Sequence, residues 1–233
     1  RYITLACAHT NDACDGALDK PRHGGISQFG RAVVCEMNRL GIMVDLSHTS
    51  EAAMKEAIRL SSAPVIFTHS NARAICNSPR NSTDEVLEMT AEKDGITMAT
   101  FVPIYVSEET REWSRRWTDE KDRRKLQGKD DEDQLEEAMR QWEQDHPRPE
   151  ATLDQVADHI DHIRRISGIE HVGIGSDFGG YLRPLKGLED ATMYPELLAE
   201  LMSRGYSDND IRKVAGENIL RIMDVVARKK GAS

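Results

Sequence analysis

Two short apolar runs, each followed by a histidine, frame the most regular part of the chain. They occupy residues 42–46 and 64–68 and are rich in Val, Ile and Phe, which favours buried strands. Glu51–Leu60 between them has the pattern of a helix, and Thr49 or Ser50 can serve as its N-cap. Strand, helix and strand in about thirty residues predict a βαβ unit, whose two strands run parallel.

His48 and His69 stand just after these two predicted strands. Neighbouring strands lie about 4.8 Å apart, so side chains at the same ends of both can reach one metal ion. Ligand-binding groups of parallel α/β folds collect at these carboxyl ends. A single histidine after a strand is usually a hydrogen-bonded structural residue. The spacing alone therefore leaves a metal site and a structural pair equally open.

Three further strands are predicted near residues 2–7, 95–105 and 172–175, with helices at 28–40, 83–93, 152–166, 194–204 and 207–226. Repeated βα units belong to a doubly wound sheet or a (β/α)8 TIM-type barrel. No GxGxxG motif follows a strand, so a dinucleotide-binding fold has no support. The chain starts directly in a strand. We therefore expect an N-terminally truncated barrel, with about five of eight strands, forming one partial domain over residues 1–233.

Residues 107–149 differ from the rest in composition. Charged residues dominate this segment, and Trp113, Trp117, Leu135, Met139 and Trp142 are interspersed among them. We expect one or two surface helices, a helical excursion from the barrel, with charges that form a solvated face and not a binding site.

The whole-chain composition excludes several classes of function. The formal net charge of −9 argues against a nucleic-acid-binding surface. No apolar run reaches eighteen residues, so no membrane-spanning segment is predicted. The four cysteines lack CxxC spacing, which makes a zinc knuckle improbable. The oligomeric state is open and includes a homodimer; the compartment is also open, with the cytoplasm favoured.

Several separate blocks carry a family resemblance: VDLSHTS, PVIFTHSNARAICNSPRN, TLDQVADHIDHIRRISGIEHVGIGSDFGG and GLEDATMYPELLAELMSRGYS. Together they resemble the renal or membrane dipeptidase family over nearly the whole chain, apart from the charged segment. The resemblance implies an amidohydrolase-type barrel that binds two Zn²⁺ ions per complete site. It also implies that metal-activated hydroxide hydrolyses the peptide bond of a dipeptide substrate.

The same resemblance implies roles for individual residues. His48 and His69 match the two histidines that hold the second zinc. Arg80 matches the arginine that binds the free carboxylate of the dipeptide, and Tyr105 a tyrosine that lines the substrate pocket. Asp177 matches the catalytic aspartate that handles protons and the substrate amine.

Three departures from the family pattern accompany these matches. The first-zinc ligands, a His-x-Asp pair and a bridging glutamate, would precede Arg1 and are absent from this chain. Cys7 stands where the family usually has a histidine that polarises the scissile carbonyl; His9 could replace it or be a loop residue. Cys76 aligns with a half-cystine whose partner position is Ser107, so that disulfide cannot form.

Two alternatives to a dipeptidase remain open. The chain could be a non-catalytic partial barrel with half a metal site, or a related amidohydrolase acting on a lactone or an N-acyl amino acid. His159 and His162 have the i, i+3 spacing of a metal pair. We interpret them as structural, because barrel helices face away from the active end.

Overall fold

The computed structural model describes residues 1–7, 9–127, 131–180 and 183–229. Its centre is a five-stranded sheet in which every strand is parallel to its neighbour and the spatial order follows the sequence. The strands are β1 (Tyr2–Thr4), β2 (Met43–Asp45), β3 (Val65–Phe67), β4 (Ile96–Ala99) and β5 (Val172–Ile174). The predicted βαβ unit and the number of strands are therefore confirmed.

Helices connect and flank these strands. They are α1 (Gln28–Leu40), α2 (Glu51–Leu60), α3 (Asp84–Glu92), α4 (Pro103–Val106), α5 (Glu108–Gln127), α6 (Glu132–Asp145), α7 (Leu153–Ser167), α8 (Tyr194–Ser203), α9 (Asp208–Arg212) and α10 (Asn218–Arg228). No helix in the described ranges is long and apolar enough to cross a membrane.

Side-chain caps fix where the main helices begin. The hydroxyls of Ser27, Ser50 and Thr152 accept hydrogen bonds from backbone N–H groups of the first turns of α1, α2 and α7. Thr152 belongs to a full capping box with Gln155. Such caps satisfy N–H groups that the helix leaves unpaired, so these boundaries were readable from the sequence.

The apolar core lies on both faces of the sheet. On one face, α1 and α2 pack against Val44, Val65 and Phe67, and α7 and α8 continue this layer next to β5. On the other face, Met43 and Ile66 join Ile222 and Val226 of α10 in a separate cluster. Strands covered on both faces explain why their sequences are continuously apolar.

Two predicted elements near the site were wrong in extent. The strand predicted for 95–105 ends at Ala99, and Tyr105 lies in the short helix α4. Pro103 occupies the first turn of α4, where the fixed φ of proline favours a helix and its missing N–H costs nothing. The strand predicted for 2–7 ends at Thr4, so Cys7 lies in a loop.

The buried face of α1 also differs from the prediction. The helical spacing of Phe29, Val33, Met37 and Leu40 predicts one apolar face, but Phe29 and Leu40 are 62% and 39% exposed. Gly30 faces inward instead, and a Cβ there would lie 2.0 Å from the carbonyl oxygen of Ala13. The close approach of α1 to the preceding loop requires glycine at this position.

The C-terminal region is less regular than a single helix over 207–226. A π-helical turn, Lys213–Glu217, separates α9 from α10. Asn218 is buried, and its amide donates to the carbonyls of Ile169 and Val172 at 2.7 and 2.8 Å. A buried amide needs such partners, and here they tie α10 to the start of β5.

Candidate metal and substrate site

His48 and His69 meet beyond the carboxyl ends of β2 and β3. Their Nε2 atoms are 2.7 Å apart and their ring centroids 4.8 Å apart. His48 has a positive φ of 72°, which turns its side chain towards the neighbouring strand end. Both residues are half-buried. The structure thus brings the two sequence-predicted ligands to one point.

A buried hydrogen-bond chain sets the orientation of the His69 ring. The Asp45 carboxylate accepts from Thr4 Oγ1, Ser47 N, Thr68 N and Thr68 Oγ1 at 2.6–3.1 Å. Because the Thr68 hydroxyl donates to Asp45, it accepts from His69 Nδ1, 2.7 Å away. That places the ring proton on Nδ1 and the lone pair on Nε2, facing His48. A metal-ligating histidine is commonly held in this way through its second nitrogen.

The surroundings keep both imidazoles neutral near pH 7. Burial and the nearby Arg80 lower the pKa of His48 to about 4. The same two causes lower the pKa of His69. Neutral imidazole is the form that binds metals.

The donor set fits a metal ion but supplies only part of a coordination shell. Two neutral imidazoles converge, one of them backed by a carboxylate through a hydroxyl, as in many zinc sites. His48 Nδ1 is buried and has no partner in the described ranges. Within those ranges, no group of three or more His, Cys, Asp or Glu residues could hold a metal ion.

Arg80 is 1% exposed and lies beside the histidines. Its Nη2 donates to the carbonyl of His69 at 3.3 Å, and its guanidinium carbon lies 5.1 Å from the ring centroid of Tyr105. Arg80 Nε and Nη1 are buried and have no partner in the described part of the chain. Unpaired buried guanidinium donors are costly, and a ligand carboxylate would satisfy them.

Two buried asparagines hold the loops that carry Arg80 and Tyr105. The side-chain amides of Asn71 and Asn81 both donate to the carbonyl of Tyr105, at 3.1 and 2.9 Å. His159 of α7 accepts from Ala72 N through Nδ1, and its Nε2 donates to the carbonyl of Val106. These contacts fix the positions of the loops that carry Arg80 and Tyr105.

Asp177 follows β5 and faces the same centre. Asp177 lines the same cavity as His48 and Tyr105. Its φ is 61°, a conformation that aspartate tolerates better than most residues. A Cβ at Gly180 would lie 2.8 Å from the Asp177 carboxylate, so glycine leaves room for that side chain.

A cavity of about 400 Å³ connects these residues to the charged helical excursion. His48, Tyr105 and Asp177 line it together with Trp113, Trp117, Glu143, Arg148 and Arg183. The charges of the excursion were expected to form a solvated face, but Glu143 and Arg148 line this cavity. Sequence composition shows that a helix is charged, but not which barrel loop it folds against.

Cys7 and His9 do not stand together at the site. His9 is 81% exposed, and its Nδ1 lies 3.8 Å from Asp19. Cys7 is exposed but close enough to Tyr105 to influence its pKa, which burial chiefly raises. The prediction that His9 could replace a carbonyl-polarising histidine has no contact in its favour among the described residues.

Structural hydrogen bonds also engage the side chains of His159, His162 and Cys76. His159 is bound on both ring nitrogens by backbone groups, and His162 Nε2 lies 2.7 Å from Asp84 Oδ1. Cys76 is a free, buried thiol that donates to the carbonyl of Ile104 at 3.5 Å. The interpretation of the i, i+3 pair as structural agrees with these contacts.

Known proteins match this chain over nearly all of its length. A family model described as membrane dipeptidase (peptidase family M19) matches residues 1–232. The chain belongs to the membrane dipeptidase family. Among curated members, dipeptidase verJ of Clonostachys rogersoniana is 40% identical over 227 residues, which are 97% of this chain and 48% of verJ. Dipeptidase aclJ of Aspergillus oryzae is 38% identical over 224 residues, 96% of this chain and 44% of aclJ.

Solved structures of the family share the fold. The probable dipeptidase PvdM from Pseudomonas aeruginosa superposes with a TM-score of 0.83 at 27% identity, covering 98% of this chain and 63% of PvdM. A metallopeptidase from Rhodobacter sphaeroides, liganded with a phosphinate mimic of the dipeptide L-Ala-D-Ala, superposes with a TM-score of 0.74 at 29% identity. The match covers 97% of this chain and 56% of the metallopeptidase. The barrel class is thereby confirmed, and the chain spans about half the length of the curated relatives it matches.

Proposed function

We propose that this chain supplies the substrate-binding half and one metal position of a zinc-dependent dipeptidase. The observation that carries the proposal is the convergence of two neutral imidazoles, Nε2 to Nε2 at 2.7 Å, beside a buried arginine with unpaired donors. Family membership supplies the reaction class, because the curated relatives are named dipeptidases.

His48 and His69 would hold the metal, and imidazole ligands suit zinc. A zinc ion held there would supply Lewis-acid chemistry, activating water and polarising the scissile carbonyl. A catalytic zinc site usually has three protein ligands, so the two histidines need further ligands, and the expected total of two zinc ions is part of the proposal.

Arg80 and Tyr105 would orient the substrate. A guanidinium presents two parallel donors to a carboxylate, and the unpaired Nε and Nη1 of Arg80 suit the carboxyl terminus of a dipeptide. Arg80 is not in the cavity lining, whereas Tyr105 is. The carboxylate of the substrate would therefore pass the Tyr105 ring to reach Arg80. This route would limit the length of the peptide that fits.

Asp177 would hold and move protons in the cavity. Its carboxylate lines the cavity together with His48 and Tyr105, so it can accept a proton from the attacking water and return it to the leaving amine. It can also pair with the ammonium group of the substrate. Charged groups for both termini favour a short peptide with free ends.

The alternative amidohydrolase substrates would pair differently with Arg80 and Asp177. A protein titled amidohydrolase from P. aeruginosa also shares the fold, with a TM-score of 0.73 at 25% identity. A lactone offers no carboxylate to Arg80, and an N-acyl amino acid offers no ammonium to Asp177. The paired charges therefore favour a dipeptide over either alternative.

The test is a substrate panel on the zinc-loaded protein. Ala-Ala should be hydrolysed in preference to N-acetylalanine and to a simple lactone, and His48→Ala should abolish the turnover. A control outside the site, His23→Ala in the loop before α1, should leave it unchanged. Preferred turnover of the lactone or the N-acyl amino acid would replace the dipeptidase assignment.

A further inference from the structure

Contacts at the base of the helical excursion, residues 107–149, join its first and last residues. Trp113 Nε1 donates to the carbonyl of His146 at 2.7 Å, and the Trp113 and Trp142 rings lie 5.6 Å apart. Trp142 also stacks on His146, with an interplanar angle of 18°. Thr110 Oγ1 donates to the carbonyl of Pro149. These hydrogen bonds and ring contacts therefore order the wall that the excursion adds to the cavity.

Glu143 joins this wall to the loop that carries Asp177. Its Oε1 accepts from Trp117 Nε1 at 2.9 Å, and its Oε2 accepts from Arg183 Nη2 at 2.8 Å. Both carboxylate oxygens of Glu143 thus accept a hydrogen bond, one from the excursion and one from the loop after β5.

Arg148 faces the same cavity and is half-buried. Its guanidinium has no hydrogen-bond partner among the residues that the structure describes. Burial and the neighbouring Arg183 lower the pKa of Arg148, and Glu143 opposes them. Glu143 already accepts hydrogen bonds from Trp117 and Arg183, so Arg148 is a cation of the cavity wall that has no paired carboxylate among the described residues.

We propose that Arg148 and Arg183 form a subsite for an anionic side chain of the dipeptide, an aspartyl or glutamyl carboxylate. The proposal rests on the proposed dipeptidase function and names its substrate class. The indole rings of Trp113 and Trp117 lower the local dielectric and strengthen the attraction. The forked donors of arginine match a carboxylate geometrically, and the cavity volume is within the range for small-ligand sites.

This subsite differs from the one assigned to Arg80. Arg80 is on the loop after β3, whereas Arg148 follows α6 and Arg183 follows β5. The substrate's terminal carboxylate would thus be bound separately from its side-chain carboxylate. Loss of Arg80 should weaken acidic and neutral dipeptides alike, and loss of Arg148 should weaken the acidic ones selectively.

The kinetic test compares substrates that differ by one charge. With the zinc-loaded protein, kcat/KM is measured for Ala-Glu against Ala-Gln and for Glu-Ala against Gln-Ala. We expect the acid to be preferred about tenfold or more in one of the two orders, the value of one charge-assisted hydrogen bond. Arg148→Gln should reduce that ratio by about tenfold, and Arg148→Lys should restore part of it.

A matched control and a binding measurement complete the test. Arg115, exposed on α5 and paired with Asp119, serves as the control; Arg115→Gln should keep the wild-type ratio. All three tryptophans of the chain lie in the excursion, so their fluorescence reports binding of hydrolysis-resistant phosphinate analogues of the same dipeptides. The acidic analogue should bind about tenfold more tightly than its amide counterpart, and only in proteins that retain Arg148.

The outcomes separate the two proposals. Hydrolysis of Ala-Ala without any preference for the acid, or an acid preference that survives both Arg148→Gln and Arg183→Gln, overturns the subsite alone. A binding preference that depends on Arg148, in a protein that hydrolyses no dipeptide, supports the subsite and overturns the proposed reaction.

Discussion

The Thr68 hydroxyl lies 2.7 Å from His69 Nδ1 and donates to Asp45 at the same distance. Asp45 ends β2 and His69 follows β3, so the chain of hydrogen bonds crosses from one strand to the next. It fixes which nitrogen of His69 carries the proton and directs the other nitrogen at His48. Backbone geometry brings the histidines together, and this chain sets their chemistry.

Removing that hydroxyl should weaken zinc binding without removing a ligand. Thr68→Val keeps the shape of the side chain and loses the hydrogen bond, and we expect zinc affinity to fall by about 10- to 100-fold. Thr68→Ser should retain most of the wild-type affinity. The measurement is a zinc titration in competition with a chromophoric chelator. Equal affinities of Thr68→Val and Thr68→Ser would show that the hydroxyl does not orient His69.

Arg80 should discriminate between free and blocked carboxyl termini. A charge-assisted pair contributes about 1.5–3 kcal/mol, so Arg80→Ala should lower kcat/KM on dipeptides by about one to two orders of magnitude. Arg80→Lys should recover only part, because an ammonium cannot make two parallel bonds. The control substrate is a dipeptide amide, which the wild type should handle poorly. A preference for the free acid that persists in Arg80→Ala would assign the anchor elsewhere.

His159 should make stability depend on pH below neutrality. Burial lowers its pKa to about 4, below the value of about 6.5 in an unfolded chain. Because the unfolded state then binds the proton more readily, this contribution is complete above pH 6.5 and is lost as the pH falls towards 4. Between pH 7 and 5 the loss from His159 alone is about 2 kcal/mol.

Urea unfolding of the metal-free protein at several pH values tests this directly. His159→Gln cannot be protonated and should lose about 2 kcal/mol less stability than the wild type between pH 7 and 5. His48 also has a lowered pKa, so a shallower pH dependence should remain in the variant. Parallel curves for the two proteins would mean that His159 is not the group responsible.

The local sequence was sufficient for the strands and helix starts. Apolar runs of β-branched residues marked the buried strands, and Ser27, Ser50 and Thr152 marked helix starts. Equivalent positions after parallel strands were enough to bring His48 and His69 together. Each of these features depends on residues close in sequence or on a repeated connection.

The rest depends on contacts between distant segments. A charged helix pair gave no sign that Arg148 would share a cavity with His48. Asp45 looked like an ordinary strand residue, since its four donors come from three separate places in the chain. The asparagines in HSNARAICNSPRN were conspicuous as polar residues beside a strand, and that signal could have identified Asn71 and Asn81 as buried anchors.

The shared histidine site is the centre of this account, and a zinc titration of residues 1–233 tests it most directly. We predict that the wild-type chain binds one zinc ion weakly through these histidines and that His48→Ala and His69→Ala each abolish this binding. His23→Ala, which alters a histidine in the loop before α1, should bind as the wild type does. Zinc binding that is unchanged in the His48→Ala/His69→Ala double variant, or robust dipeptide turnover by that variant, would contradict the account.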